Sequence, residues 1–125
     1  MLIDTDVLIW LTRGHRGALV RLQTVSPWHI SAVTYIELIQ GCRDKKELAV
    51  IKKGLSLSQT QTLAINSAIS DRGIQLVETY ALSHGLQLAD ALIAATALEH
   101  SLTVLTANAK HFSVIAGLQI EVFMP

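Results

Sequence analysis

The chain has 125 residues, of which half are hydrophobic and only 16% are charged, against about a quarter charged in an average soluble protein. This size and composition predict a single globular domain, residues 1–125, with a well-buried core, and they exclude a disordered chain. Ten basic and ten acidic residues cancel, so the net charge gives no indication of nucleic-acid binding.

The single cysteine, Cys42, and the lengths of the apolar segments indicate where the protein works. One cysteine cannot form an internal disulfide, and no cysteine and histidine residues are spaced for a zinc site. No apolar run is long enough to cross a bilayer, and the N-terminus lacks the basic start and apolar stretch of a secretion signal. We therefore expect a cytoplasmic protein in a reducing environment, without a membrane association.

Strand patterns and helix patterns alternate along the chain. In order, they predict a strand at 1–3, helices at 6–11 and 17–25, a strand at 28–30, a helix at 33–41 capped by Ser31, a basic helix at 45–54 capped by Asp44 and stopped by Gly54, a strand at 62–65, helices at 67–84 and 88–100, and strands at 103–105 and 119–123. This alternation favours an α/β fold whose parallel sheet is covered on both faces. The functional cleft of such a sheet lies outside the carboxyl ends of its strands.

Four of the ten carboxylates are candidates for a functional site. Asp4 and Asp6 follow the first strand in the apolar segment MLIDTDVLI, and Asp90 lies in the Ala- and Leu-rich helix LADALIAATALEH. Glu37 lies on the helix after the second strand, among mixed neighbours. Each acid also has a structural interpretation. It is a turn for Asp4, a helix cap for Asp6, a helix cap or a favourable charge near the positive helix N-terminus for Asp90, and a solvated surface side chain for Glu37.

Taken together, these acids predict a cation site. Thr106 and Asn108 follow the predicted strand 103–105 and would join Asp4 at the same edge of the sheet. Several carboxylates in one cleft repel each other unless a cation lies between them. Oxygen ligands without cysteine or paired histidine favour Mg²⁺ or Mn²⁺, and such sites commonly promote phosphodiester hydrolysis.

Four segments of the chain, in order, resemble the PIN-domain ribonucleases, and specifically the VapC toxins of bacterial type II toxin–antitoxin systems. They are MLIDTDVLI, ISAVTYIELIQG, LQLADALIAATAL and LTVLTANAKHF, and they run almost the whole length. The resemblance implies a single PIN domain with a Rossmann-like sandwich of helices around a parallel sheet. It also implies a Mg²⁺- or Mn²⁺-dependent endoribonuclease that hydrolyses RNA with a water nucleophile, a cognate antitoxin protein as partner, and a homodimer.

The resemblance also assigns residues to the site. The three catalytic and metal-binding acids are Asp4, Glu37 and Asp90, and the supporting residues are Asp6, Thr106 and Asn108. Of the acids, Glu37 either binds the metal or orients the attacking water. Many family members carry a fourth acid three residues after Asn108, where this chain has His111, so the sequence leaves open one metal or two. His111 could contact phosphate or be a structural side chain.

Basic residues after the first two motifs are candidates for contacts with RNA phosphates. They are Arg13, Arg16, Arg43, Lys45 and Lys46. A solvated basic helix face explains the lysines equally well.

Two other functions stay open at this point. The segment DTDVL also resembles the start of haloacid-dehalogenase-like phosphatases, whose first aspartate is a nucleophile, although those chains are longer and need a lysine in a late motif. Alternatively, the chain is a catalytically impaired PIN-fold module that only binds RNA or a protein.

Overall fold

Five short parallel strands form the centre of the fold, and seven helices pack around them. The elements are β1 (Leu2–Ile3), α1 (Thr5–Thr12), α2 (Arg16–Gln23), β2 (His29–Ser31), α3 (Ala32–Gln40), α4 (Lys45–Leu57), β3 (Gln61–Leu63), α5 (Ser67–His84), α6 (Leu88–His100), β4 (Val104–Thr106), α7 (Ala109–Phe112) and β5 (Ile120–Val122). The computed structural model describes all of residues 1–125. The strand order is β3-β2-β1-β4-β5, and all pairs are parallel. This confirms the predicted α/β class.

The sheet is covered on both faces because successive strand residues point to opposite sides. Leu2 and Val104 pack with α5 and α6 in one core, whereas Ile3 and Leu105 pack with α1 and α2 in the other. All four side chains are fully buried. The unbroken apolar run of each central strand is therefore explained by two cores that share one sheet. No helix is both long and apolar enough to cross a membrane.

The strand register brings Asp4 and Thr106 together at one edge of the sheet. Leu2 and Ile3 pair with Val104 and Leu105, so Asp4, which follows β1, lies beside Thr106, the last residue of β4. The Asp4 N–H donates a 2.9 Å hydrogen bond to the Leu105 carbonyl, which continues the pairing past the end of β1. The strand order reverses between β1 and β4, and open α/β sheets have their clefts at such a reversal.

The helix bounds show which sequence signals were reliable. The predictions for 67–84 and 88–100 are confirmed, and for α5 the reason is local: the Asn66 side chain accepts from the Ile69 N–H, and Gly85 ends the helix with φ of 71°. The predicted stop at Gly54 is wrong, because α4 continues to Leu57. A glycine inside a helix costs only about 1 kcal/mol, which neighbouring helix formers offset. The short helix α7 was not predicted.

Candidate active site

Asp4 is the most constrained acid of the cleft. It is the N-cap of α1, and its Oδ1 accepts a 2.8 Å hydrogen bond from the Thr5 N–H. Its Oδ2 accepts a 2.8 Å bond from the Thr106 hydroxyl, and the residue is only 5% exposed. Burial, followed by the charges of Asp6 and then Asp90, raises the pKa of Asp4 to about 8, although its hydrogen bonds oppose the shift. Without a cation, the folded chain therefore favours the protonated form of Asp4.

The predicted supporting residues lie around Asp4. The interpretation of Asp6 as a helix cap is wrong, because Asp4 caps α1 and Asp6 lies in the first turn. Asp6 Oδ1 accepts a 3.3 Å bond from the Ala107 N–H, just after β4. The Asn108 N–H donates a 2.9 Å bond to the Thr106 hydroxyl oxygen, which leaves the Thr106 proton directed to Asp4. The backbone N–H of Ala107 thus holds Asp6 directly, whereas that of Asn108 acts on Asp4 only through the Thr106 hydroxyl.

Asp90 faces the cleft from the other side, on the first turn of α6. The interpretation as a helix cap is wrong, because the N-cap is Gln87 and no side chain makes the capping bond, whereas a carboxylate in the first turn does lie near the positive end of the helix. Asp90 Oδ2 instead lies 2.7 Å from Nδ1 of His111 on α7. Burial raises the pKa of Asp90, His111 opposes the shift, and the other acids of the cleft add to it. His111 is therefore a direct neighbour of the acids.

Glu37 is the exposed acid of the cleft and lies on the second half of α3. Its Oε1 accepts a 2.7 Å hydrogen bond from the Thr5 hydroxyl. The Thr5 hydroxyl oxygen also lies 2.9 Å from that of Thr34, which is fully buried. The sequence analysis missed both threonines. The only available signal was the position of Thr5 between two acids, and no signal distinguished Thr34.

The four acids influence one another electrostatically, yet no three of them converge as preformed metal ligands. The only basic side chain paired with any of them is His111. The available donors are mainly carboxylate oxygens, which suit a hard divalent cation, and the pKa of Asp4 is raised first by burial and then by the charges of Asp6 and Asp90. The donor chemistry fits Mg²⁺ or Mn²⁺, whereas the side-chain positions do not form a finished ligand set.

A groove of about 1280 Å³ adjoins the cleft and runs between α1 and α2 on one side and α3 and α4 on the other. Its floor is apolar, with Leu8, Leu22, Leu38 and Ile51, and Glu37 lies in its lining. All five basic residues predicted to contact phosphate are exposed. Arg13, Arg43 and Lys46 line the groove, whereas Arg16 and Lys45 do not. Arg43 is also paired with Glu47 at 2.7 Å.

Comparisons with known proteins agree with the fold. The PIN-domain profile matches residues 1–118. Ribonuclease VapC10 of Mycobacterium tuberculosis is 33% identical over 129 aligned positions, which cover 100% of this chain and 95% of that protein. A chain in a toxin–antitoxin complex from Klebsiella pneumoniae is 34% identical, with a TM-score of 0.76 over 94% of this chain and 93% of that one. VapBC2 from Rickettsia felis, solved with a DNA fragment from its promoter, is 20% identical with a TM-score of 0.84 over 98% and 97% of the two chains, a likeness of fold.

Proposed function

The chain belongs to the PIN-domain family, and we propose that it is a divalent-metal-dependent endoribonuclease, the toxin of a type II toxin–antitoxin pair. The observation that carries the proposal is the group of acids at the carboxyl edge of the sheet, where burial and like charges raise the pKa of Asp4 to about 8. Such a group gains free energy from a bound cation. The DTDVL segment, which also resembles the start of haloacid-dehalogenase-like phosphatases, lies within the PIN-domain match. This match argues against the phosphatase alternative.

We assign the metal to Asp4, Asp90 and Glu37. When bound, Mg²⁺ or Mn²⁺ neutralises the acids, lowers the pKa of a water molecule and stabilises charge on phosphate oxygens. Asp4 contributes a carboxylate whose position is fixed by two hydrogen bonds. Thr106 supports that position directly and Asn108 supports it through Thr106, whereas Asp6 is held in the same cleft by the Ala107 N–H. His111 stands where many relatives carry an acid, and its contact with Asp90 favours one metal over two.

RNA is the proposed substrate, and its phosphates would follow the basic residues of the groove. Arg13 and Lys46 line the groove together with Glu37, and neither forms a salt bridge. Because the net charge is zero, these local charges must supply the attraction that a basic protein obtains from its overall field. Arg16 and Lys45, which lie outside the groove, have less support as RNA contacts.

The same groove supports a protein partner. Its apolar floor and the exposed side chains Ile9, Leu19 and Val50 along its rim suit the apolar face of an amphipathic helix from a cognate antitoxin. Exposed apolar residues outside the groove, including Ile36 and Leu88, support a homodimer. We propose that both assemblies form in the cytoplasm. Light scattering that finds a monomer at every workable concentration would contradict the homodimer.

RNA cleavage by the purified chain tests the catalytic proposal. We expect cleavage with Mg²⁺ or Mn²⁺, no cleavage with EDTA, and products with 5′-phosphate and 3′-hydroxyl ends, because water rather than the ribose hydroxyl attacks. Products that end in a 2′,3′-cyclic phosphate would contradict this mechanism. A metal-loaded protein that binds an antitoxin but cleaves no RNA would favour the catalytically impaired module.

A further inference from the structure

Thr5 connects two acids of the cleft that belong to different helices. Its backbone N–H donates a 2.8 Å bond to Asp4 Oδ1. Its side-chain oxygen lies 2.7 Å from Glu37 Oε1 and 2.9 Å from the hydroxyl oxygen of Thr34. Thr5 is 7% exposed and Thr34 is 0% exposed, whereas Glu37 is an exposed residue. No other side chain forms a hydrogen bond with Glu37.

The direction of these hydrogen bonds follows from the number of protons. A hydroxyl group has one proton and an ionised carboxylate has none, so the Thr5 hydroxyl donates to Glu37. The Thr5 proton is then committed, and the 2.9 Å bond between the two threonines must be donated by Thr34. The result is a directed chain of donors from Thr34 to Thr5 to Glu37, in which each bond polarises the next. The last bond has a charged acceptor, which makes it one of the stronger kind.

Glu37 needs such a restraint because it lies on an exposed face of α3. A solvated glutamate samples many rotamers and loses that freedom only when another group fixes it. Thr5 and Thr34 are buried in the packing between α1 and α3, so their own positions are fixed. Valine would fill either position at a similar volume without burying a hydroxyl group. What the hydroxyls add to packing is therefore a fixed donor for one Glu37 oxygen.

We propose that Thr5 and Thr34 are positioning residues that hold the Glu37 carboxylate in the cleft with Asp4 and Asp90. The inference rests on the proposed metal-dependent function, in which Glu37 is a metal ligand. The two threonines act through Glu37 rather than on the cation or the RNA. Without the Thr5 hydroxyl, Glu37 turns freely into solvent, and the Thr34 hydroxyl stays buried without its acceptor.

Binding of Mn²⁺ alone to the full chain, measured by titration calorimetry without RNA, tests this inference. We expect Thr5→Val to weaken Mn²⁺ binding by about 10-fold, the lower end of the range for losing a residue that hydrogen-bonds a metal ligand. Thr5→Ser keeps the hydroxyl group and should restore most of the affinity. Thr34→Val should have a smaller effect than Thr5→Val, because Thr5 can still donate to Glu37.

Thr96 provides the matched control. It is also fully buried, but its hydroxyl donates a 2.7 Å bond to the Leu92 carbonyl within α6. Thr96→Val therefore removes a buried hydroxyl without touching Glu37, and its Mn²⁺ affinity should equal that of the wild type. Thermal melts in EDTA show that each variant is folded. Should Thr5→Val fail to fold, Thr5→Ala removes the same hydroxyl group and carries the same comparison.

A double-mutant cycle with Glu37→Gln completes the experiment. Because the threonines act through Glu37, Thr5→Val should weaken Mn²⁺ binding much less in the Glu37→Gln background than in the wild type. Wild-type Mn²⁺ affinity in folded Thr5→Val, or full additivity in the cycle, would overturn the inference alone. A wild-type chain that neither binds Mn²⁺ nor cleaves RNA would overturn the proposed function and the inference with it.

Discussion

The two sides of the acidic cleft are built in different ways. On the sheet side, Asp4 follows β1, Thr106 ends the neighbouring strand β4, and both oxygens of Asp4 accept hydrogen bonds. On the helix side, Glu37 and Asp90 lie on α3 and α6, are more exposed, and each contacts one side chain from another helix. On the sheet side, the Asp4 carboxylate is held in one position, and its burial makes the ionised form unfavourable. On the helix side, the carboxylates of Glu37 and Asp90 are more exposed and have fewer hydrogen bonds to restrain them. This difference explains why the acids affect each other's pKa without forming finished metal ligands.

Removal of the sheet-side charge should have the largest effect on activity. Asp4→Asn keeps a side chain that can cap α1 but lacks the negative charge. We expect a loss of RNA cleavage well beyond the 10–100-fold that loss of a residue bonded to a metal ligand costs. Cleavage rates with excess Mn²⁺ measure the effect, and Asp90→Asn should give a similar loss. Appreciable activity in Asp4→Asn would mean that the fixed side of the cleft is not part of the active site.

The electrostatic cost of the sheet side should appear as a pH dependence of stability in EDTA. The pKa of Asp4 is about 8 in the folded chain, above about 3.9 in an unfolded chain. Because the folded state holds this proton more tightly, the contribution of Asp4 to stability is fully present below about pH 4 and is lost as the pH rises to about 8.

Denaturant unfolding between about pH 5 and about pH 8 should therefore show a falling free energy of unfolding, by an amount on the order of a few kcal/mol. The raised pKa of Asp90 acts in the same direction. Asp4→Asn should flatten the profile and be more stable than the wild type at the alkaline end. Identical profiles for the two proteins would contradict the raised pKa.

The helix side can be tested by comparing stability with and without metal. In EDTA, Asp90→Ala should be neutral or stabilising, because it removes a charge that burial and the other acids disfavour more than His111 favours it. With Mg²⁺ at 10–100 times Kd, the wild type should gain roughly 1–3 kcal/mol, and Asp90→Ala should gain little. Thermal melts of both proteins in each condition measure this. Equal destabilisation of the variant in both conditions would argue against Asp90 as a metal ligand.

We expect the smallest effect on RNA cleavage from substitution of His111, which contacts Asp90 on the helix side. The side chains of His111 and Asp90 are 49% and 24% exposed, and contacts between partly exposed charges contribute at most about 1 kcal/mol. His111→Ala should therefore reduce RNA cleavage by less than about 5-fold, far less than Asp90→Asn. If the two variants lost activity equally in the same assay, His111 would belong with the acids as a part of the chemistry.

The sequence indicated the residues of the sheet side more clearly than the contacts of the helix side. The reason is that the contacts of the helix side join residues that are far apart along the chain. Asp4 is conspicuous because it interrupts an apolar strand, and its neighbours Thr106 and Asn108 follow from the rule for strand ends. The bonds of Thr5 to Thr34 and Glu37 join positions 29 and 32 residues apart. Such contacts exist only after α1 and α3 have packed, so no local pattern indicates them.

The same contrast holds for the secondary structure. The ends of α5 follow from adjacent signals, a capping Asn66 and a left-handed Gly85. Helix α7 has four residues, which is too short for a hydrophobic period, and its one buried residue, Phe112, packs in the core with residues distant in sequence. Gly54 suggested a helix end, but the preference of one glycine against helix is weak. The helix-forming residues before it and Leu55 after it allow α4 to continue to Leu57.

Asp4 is both a proposed metal ligand and the cap of α1. This combination predicts how inactive variants of the toxin affect a cell that also contains the antitoxin. Substitutions of Asp4 that remove its charge divide into two kinds. Asparagine and serine can retain the cap, so a variant carrying either should fold, keep its groove and, under the proposed function, compete with the active toxin for antitoxin. Alanine loses the cap, which costs about 1 kcal/mol, and yields a less stable competitor. In a cell that also expresses the active toxin, Asp4→Asn should therefore increase growth inhibition more than Asp4→Ala, and co-expression with a limiting amount of antitoxin measures the difference.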